Sequence, residues 1–131
     1  MNIDVKECSY EDIKFIPILF KKQLGYARFA KRKKPEIWFK AVKKNSNVVV
    51  GAGCLLILSK NTVRLSNVFV LPLSRGQKIM HEIVKKREQW AKENNYKYID
   101  VRTVKKYYEN NNYIKIKDYK VGGSWLRKEI N

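Results

Sequence analysis

At 131 residues the chain is long enough for one domain with a full core and too short for two, and its 44% hydrophobic content excludes a disordered polypeptide. The longest apolar run, residues 48–58, is broken by Gly51 and Gly53 and falls short of the ~20 residues a membrane span needs, and the first ten residues lack a basic-then-apolar leader, so a cytoplasmic protein with no membrane partner is expected. Lysine and arginine number 29 against 12 acidic residues, a net charge of +17; compositional drift in an AT-rich genome is one source, and a polyanionic partner such as DNA or RNA is the reading favoured here.

Residues 2–7 alternate and predict an edge strand. Ser9, Tyr10, Glu11 and Asp12 open a helix in capping-box fashion, and Pro17 kinks or restarts it before Gly25 stops it. The following stretch is basic and interleaved with Tyr26 and Phe29. Its Arg28, Lys31, Arg32, Lys33 and Lys34 are candidate phosphate contacts, or else a solvated face. Two strands over 37–43 and 48–58 flank a turn at 44–47, and a third runs from 62 to 71. Gly51 and Gly53 mark a bulge or a close approach in the middle strand.

Pro72 ends the third of these strands, because it has no N–H to give to a ladder. A short polar loop follows, then an amphipathic helix with Ile79, Met80, Ile83, Val84, Trp90 and Ala91 on one face. A helix opening just past a strand leaves its first amides aimed at the strand's carboxyl end, with the positive end of the macrodipole behind them. Such a mouth suits phosphate. His81 is placed on the solvent side of this helix. Asn94 and Asn95 stop it, residues 98–103 form a strand parallel to the one before the helix, and Thr103 caps a short helix over 104–111. A hairpin of residues 113–119 and 124–130 turns at Gly122 and Gly123.

Cys8 and Cys54 are too few for a disulfide framework and read as idle thiols, and with a single histidine they leave no zinc set. Trp38, Trp90 and Trp125 read as core or pocket walls.

Two motifs carry a family resemblance. Val70-x-Pro72-x-x-Arg75-Gly76-x-x-Ile79 resembles the acyl-CoA loop of the GNAT superfamily, Val-x-Pro-x-x-Arg-Gly-x-Gly-Ile-Gly. Tyr107-Tyr108-Glu109-Asn110-Asn111-Asn112-Tyr113 resembles its Phe-Tyr-Glu-x-x-Gly-Phe. Lys78 stands where the family has a loop glycine, and Met80 where it has Gly or Ala. The resemblance implies a single GNAT-like α/β domain over 1–131: a mixed, mostly antiparallel sheet, a splayed parallel strand pair and about four helices.

It also implies acyl transfer from acetyl-CoA, or another acyl-CoA, to an amine. The amides of Phe69 and Val70 would meet the thioester arm, and Arg75, Gly76, Gln77, Lys78 and Ile79 the diphosphate. Tyr108 would protonate the leaving thiolate. Ser66 and Asn67 occupy the strand where many relatives carry a carboxylate base, so a water chain serves, or Asp100, Glu36 or Glu109 reaches in, or the acceptor needs no strong base. Two alternatives stay open: a Mom-like phage enzyme that modifies the adenine amino group of DNA, and a non-catalytic GNAT-like module that binds nucleic acid.

Overall fold

The computed structural model describes residues 2–13, 35–71, 74, 76, 78–103 and 106–131. Alternating β-branched and aromatic segments form the strands β1 (Ile3–Cys8), β2 (Glu36–Lys43), β3 (Val49–Ile57), β4 (Thr62–Val70), β5 (Tyr98–Thr103), β6 (Ile114–Asp118) and β7 (Ser124–Glu129). They make one seven-stranded sheet in the order β1-β2-β3-β4-β5-β7-β6. Every neighbouring pair is antiparallel except β4 and β5, which run parallel from Thr62↔Tyr98 to Leu65↔Val101. The crossover between those two strands is the helix α1 (Ile79–Glu93), as a parallel connection requires.

The 3.6-residue period builds α1, whose buried face is Ile79, Ile83, Val84, Arg87 and Ala91. Its end is a Schellman motif. Asn95 turns left-handed at φ 65°, the Tyr96 N–H reaches the Ala91 carbonyl at 3.0 Å, and the Asn95 N–H reaches Lys92 at 3.1 Å. Strand β3 is buried at each position from Val50 to Leu56, the pattern of a strand covered on both faces. On the helix side the core runs through Phe39, Leu55, Val63, Leu65, Val84 and Ile99, with Ala41, Val50, Ile79 and Ile83 continuing it. On the other side Ile13, Trp38, Ala52, Cys54 and Phe69 pack together.

Close helix–sheet packing explains the two glycines of β3. A Cβ on Gly51 would lie 2.9 Å from the Phe69 carbonyl oxygen and 3.2 Å from Ile83, and one on Gly53 would lie 2.8 Å from Ile83 and 3.2 Å from Arg87. The bulge expected near them is present, with its extra residue on β4. Ala52 pairs with Phe69 but Cys54 with Ser66, so Asn67 and Val68 together face Gly53. Asn67 takes the left-handed conformation at φ 38°, which asparagine tolerates.

The expectation of about four helices is corrected for the described residues, among which α1 is the one α-helix. From Ser9 the chain makes one 3-10 turn, Tyr10–Asp12, held by the Ser9 N–H on the Asp12 carboxylate at 3.2 Å; its continuation over 14–34 lies outside the described residues. Of the helix expected over 104–111, the described residues 106–111 form turns and the 3-10 segment Glu109–Asn111, and 104–105 lie outside the described residues. Asn112 goes left-handed at φ 71°, and the Tyr113 N–H closes back on the Tyr108 carbonyl at 3.0 Å. Three successive asparagines, whose side chains compete for backbone partners, favour that early stop.

Candidate active site

Past Leu65 and Val101 the parallel ladder stops, while β4 continues for residues 66–70 and β5 for Arg102 and Thr103. The bulge at Asn67 bends β4 just there, and the two strands part. Between them lies a cleft of about 330 Å³, whose lining includes Arg64, Ser66, Asn67, Arg87, Arg102 and Tyr108. Among its described lining residues there is no carboxylate.

Arg87 forms part of the floor. It is fully buried in the 79-83-87-91 stripe of α1 that faces the sheet. Its Nε donates to the Ile83 carbonyl at 3.3 Å, and its Nη1 to the carbonyls of Cys54 at 2.9 Å and Ser66 at 3.2 Å, on the two strands at the bulge. Its Nη2 is buried and makes no hydrogen bond of ordinary geometry. Burial lowers the Arg87 pKa, with the neighbouring Tyr108 and Cys54 opposing the change.

Tyr108 is buried, its ring set edge-on against Tyr107 at 5.1 Å and Tyr113 at 5.4 Å between centroids. Burial raises its phenol above the ordinary tyrosine range, and the Arg87 guanidinium beside it pulls the other way by charge and by hydrogen bonding. A phenol is a competent proton donor to a thiolate, so Tyr108 stands in the cleft where the sequence expects an acid.

The start of α1 is not among the described residues that line this cleft. Lys78, the residue before the helix, takes a left-handed backbone at φ 59°, ψ 22°, and no side chain caps the helix there. Lysine thus adopts the conformation for which the family uses glycine. Its side chain is exposed, while Met80 packs against the main core. Gly76 has φ 86° and open space where a Cβ would stand, so its role is conformational. Phe69 and Ile79 bury their side chains and Val70 half-buries its own; Phe69 and Ile79 are left with their backbone to offer a ligand. Arg75 and Gln77, like the basic group Arg28, Lys31, Arg32, Lys33 and Lys34, lie outside the described residues.

The three carboxylates expected to reach the reacting amine do not line this cleft. Asp100 is buried in a two-point pair with Arg127, at 2.7 and 3.1 Å; Glu36 accepts from the Cys54 thiol at 3.7 Å; Glu109 is exposed on its 3-10 turn. His81, expected on the solvent side, is half-buried, and its Nδ1 pairs with the Tyr107 hydroxyl. Burial pushes Cys54 up to about 12 and Cys8 up to about 11, so both stay thiols at neutral pH. Among the described residues no group of His, Cys, Asp and Glu could hold a metal, and no helix is long and apolar enough to cross a membrane.

Sequence reading missed Arg87. Its signal was present: a charged residue one turn from Ile83 and one turn from Ala91, inside the apolar stripe. Arg64 and Arg102 were also missed, and alternation along a strand holds nothing that would have distinguished them from surface charges.

A family model described as the acetyltransferase (GNAT) family matches residues 6–118. No curated protein matches at a significant level. Among solved structures the chain is similar to a GNAT-family acetyltransferase from Staphylococcus aureus, at 19% identity and TM-score 0.73, with 98% of this chain and 99% of that one covered. It is also similar to a Mycobacterium tuberculosis protein solved in complex with CoA, at 17% identity and TM-score 0.78, with 98% and 99% covered. A third is the PaiA N-acetyltransferase of Thermoplasma acidophilum in complex with coenzyme A, at 15% identity and TM-score 0.75, again 98% and 99% covered. At such identities the likeness is one of fold.

Proposed function

Since the chain belongs to the acetyltransferase (GNAT) family, we propose that it is an acyl-CoA-dependent N-acyltransferase, with acetyl-CoA as donor and an amine as acceptor. The observation that carries this reading is the splay of β4 from β5 past Leu65 and Val101, which opens a cleft holding Tyr108. The residues fit the donor. The start of α1, without a side-chain cap, suits its diphosphate, together with Gly76, Lys78, the Ile79 backbone and, by sequence, Arg75 and Gln77. The open edge of residues 66–70, with Phe69 and Val70, suits its amide-bearing arm. Tyr108 donates the proton that the departing sulfur needs. Similar proteins have been solved with coenzyme A, which supports the assignment.

The test is thermal unfolding with acetyl-CoA. At one hundred times its dissociation constant the donor adds about 2.7 kcal/mol by mass action. Tyr108→Phe retains the shift while slowing acyl transfer to an amine acceptor, read as free CoA, by roughly tenfold or more. Absence of any shift at millimolar acetyl-CoA ends the reading; an unchanged rate in Tyr108→Phe removes the tyrosine from it.

The charge of +17 favours an acceptor that is a polyanion or travels bound to one, with Arg28, Lys31, Arg32, Lys33 and Lys34 as its phosphate contacts. Binding to duplex DNA that weakens steeply with salt is the expected result, and binding indifferent to salt rejects it. The matched family is one of acetyltransferases, so the Mom-like alternative is not carried forward. The non-catalytic alternative leaned on Lys78 and Met80, of which the first keeps a glycine-like backbone and the second packs inward.

A further inference from the structure

Among the described residues, no carboxylate forms an ion pair or hydrogen bond with Arg87. Of the ionisable groups around it, the Cys54 thiol is neutral, Tyr108 and Tyr113 are phenols raised by burial, and Glu88 is already engaged by the Tyr113 hydroxyl at 2.7 Å and Lys128 Nζ at 3.1 Å. The other charged side chains facing the cleft, Arg64 and Arg102, carry the same sign. A buried guanidinium without a carboxylate costs several kcal/mol of lost hydration. Two backbone carbonyls at the bulge engage Nη1, while Nη2 makes no hydrogen bond of ordinary geometry and the Tyr108 phenol lies beside the guanidinium. A purely structural donor for those carbonyls would not need a permanent charge, let alone a second nitrogen turned away from them.

We propose that Arg87 is the counter-charge for the departing sulfur: its Nη2 holds the negative charge that appears in the cleft when the thioester breaks. This rests on the acyl-CoA reading above. In the transfer the acceptor nitrogen bonds to the carbonyl carbon, and the carbon–sulfur bond breaks with its electron pair going to sulfur. Tyr108 passes its phenolic proton to that sulfur, and the charge moves onto the phenolate, still beside Arg87. The proton that the acceptor nitrogen sheds then restores the phenol, so Arg87 is cationic throughout and no net charge remains. The guanidinium is itself fully buried and acts where charge develops, which is where a fixed cation has a large effect.

The consequence is measurable with coenzyme A alone, without an acceptor. The probe is the methylene beside the sulfur of CoA, whose NMR shift follows ionisation of the thiol as pH is varied. Bound to the full chain, the thiol should ionise about one unit or more below free CoA, a tenfold gain in thiolate at a given pH. Arg87→Gln should return it to within about a third of a unit of free CoA, Arg87→Lys should restore at least half of the depression, and Tyr108→Phe should keep it. A bound thiol that titrates like free CoA in the wild-type chain overturns the proposal, as does full depression in a folded Arg87→Gln. Should Arg87→Gln fail to fold, the wild-type titration and Arg87→Lys decide alone. Failure of CoA to bind the wild-type chain overturns the acyl-CoA reading and this proposal together; binding without depression overturns this proposal only.

Discussion

The two ends of the β4–β5 pair have opposite solutions to the same problem. At the paired end, Thr62–Leu65 and Tyr98–Val101 share a ladder, and the buried charge there, Asp100, is held by Arg127 at 2.7 and 3.1 Å. At the open end the ladder is absent, β4 is bulged, and the buried charge, Arg87, has backbone carbonyls in place of an acid. One end is electrically complete. The other is built with a deficit, and deficits of that kind are what functional sites retain at the expense of stability.

The strongest way to break this comparison is to remove each arginine. Arg127→Met strands a buried carboxylate and should cost about 2 kcal/mol in urea unfolding. That is below the 3–5 kcal/mol of a fully buried pair, because the Arg127 side chain is 31% exposed. Arg87→Met removes a desolvated charge along with its bonds to three carbonyls, and these opposed effects should leave stability within about 1 kcal/mol of wild type. If Arg87→Met proves the costlier change, the guanidinium is a structural rivet and the contrast is lost.

A smaller effect sharpens the open end alone. Gly53→Ala places a methyl 2.8 Å from Ile83 and 3.2 Å from Arg87, lifting α1 off the bulge. It should cost about 1 kcal/mol in the same unfolding assay and shrink the acetyl-CoA thermal shift by more than that loss explains. An unaltered shift would mean that the position of Arg87 does not matter to the cleft.

The smallest effect concerns pH. Burial raises Tyr107 from 10 to about 12, so the folded state holds that proton more tightly than the unfolded chain. This contribution is whole below pH 10 and is lost as pH rises toward 12. The melting temperature should therefore fall across that window, and Tyr107→Phe should fall less steeply. Equal slopes would exclude Tyr107 as a source of alkaline instability.

Much of the scaffold was legible because it follows local periodicity. The strand limits differ from the expected ones by a residue or so, and the parallel crossover follows from a strand–helix–strand order. The exceptions are instructive. The described part of the helix expected over 104–111 is turns and a 3-10 segment, because the asparagines at 110–112 compete for the backbone partners a helix would use. His81 was placed outward because a helical wheel contains no neighbour, whereas Tyr107, brought in by the chain's return, covers it. Asp100 was offered as a base because sequence cannot display that Arg127, on the adjacent strand, neutralises it.

By itself the sequence determined the order of elements, the close-packed positions at Gly51 and Gly53, and the membership that two motifs announce. Those features depend on a few neighbouring residues, and so they survive being read along a line. The open end of the pair was decided only in three dimensions. There a bulge on one strand, a glycine on the next and an arginine from the crossover helix meet, although Gly53, Asn67 and Arg87 lie far apart in the chain. A charge's meaning depends on what surrounds it in space, and no spacing along the chain encodes which carboxylate is missing.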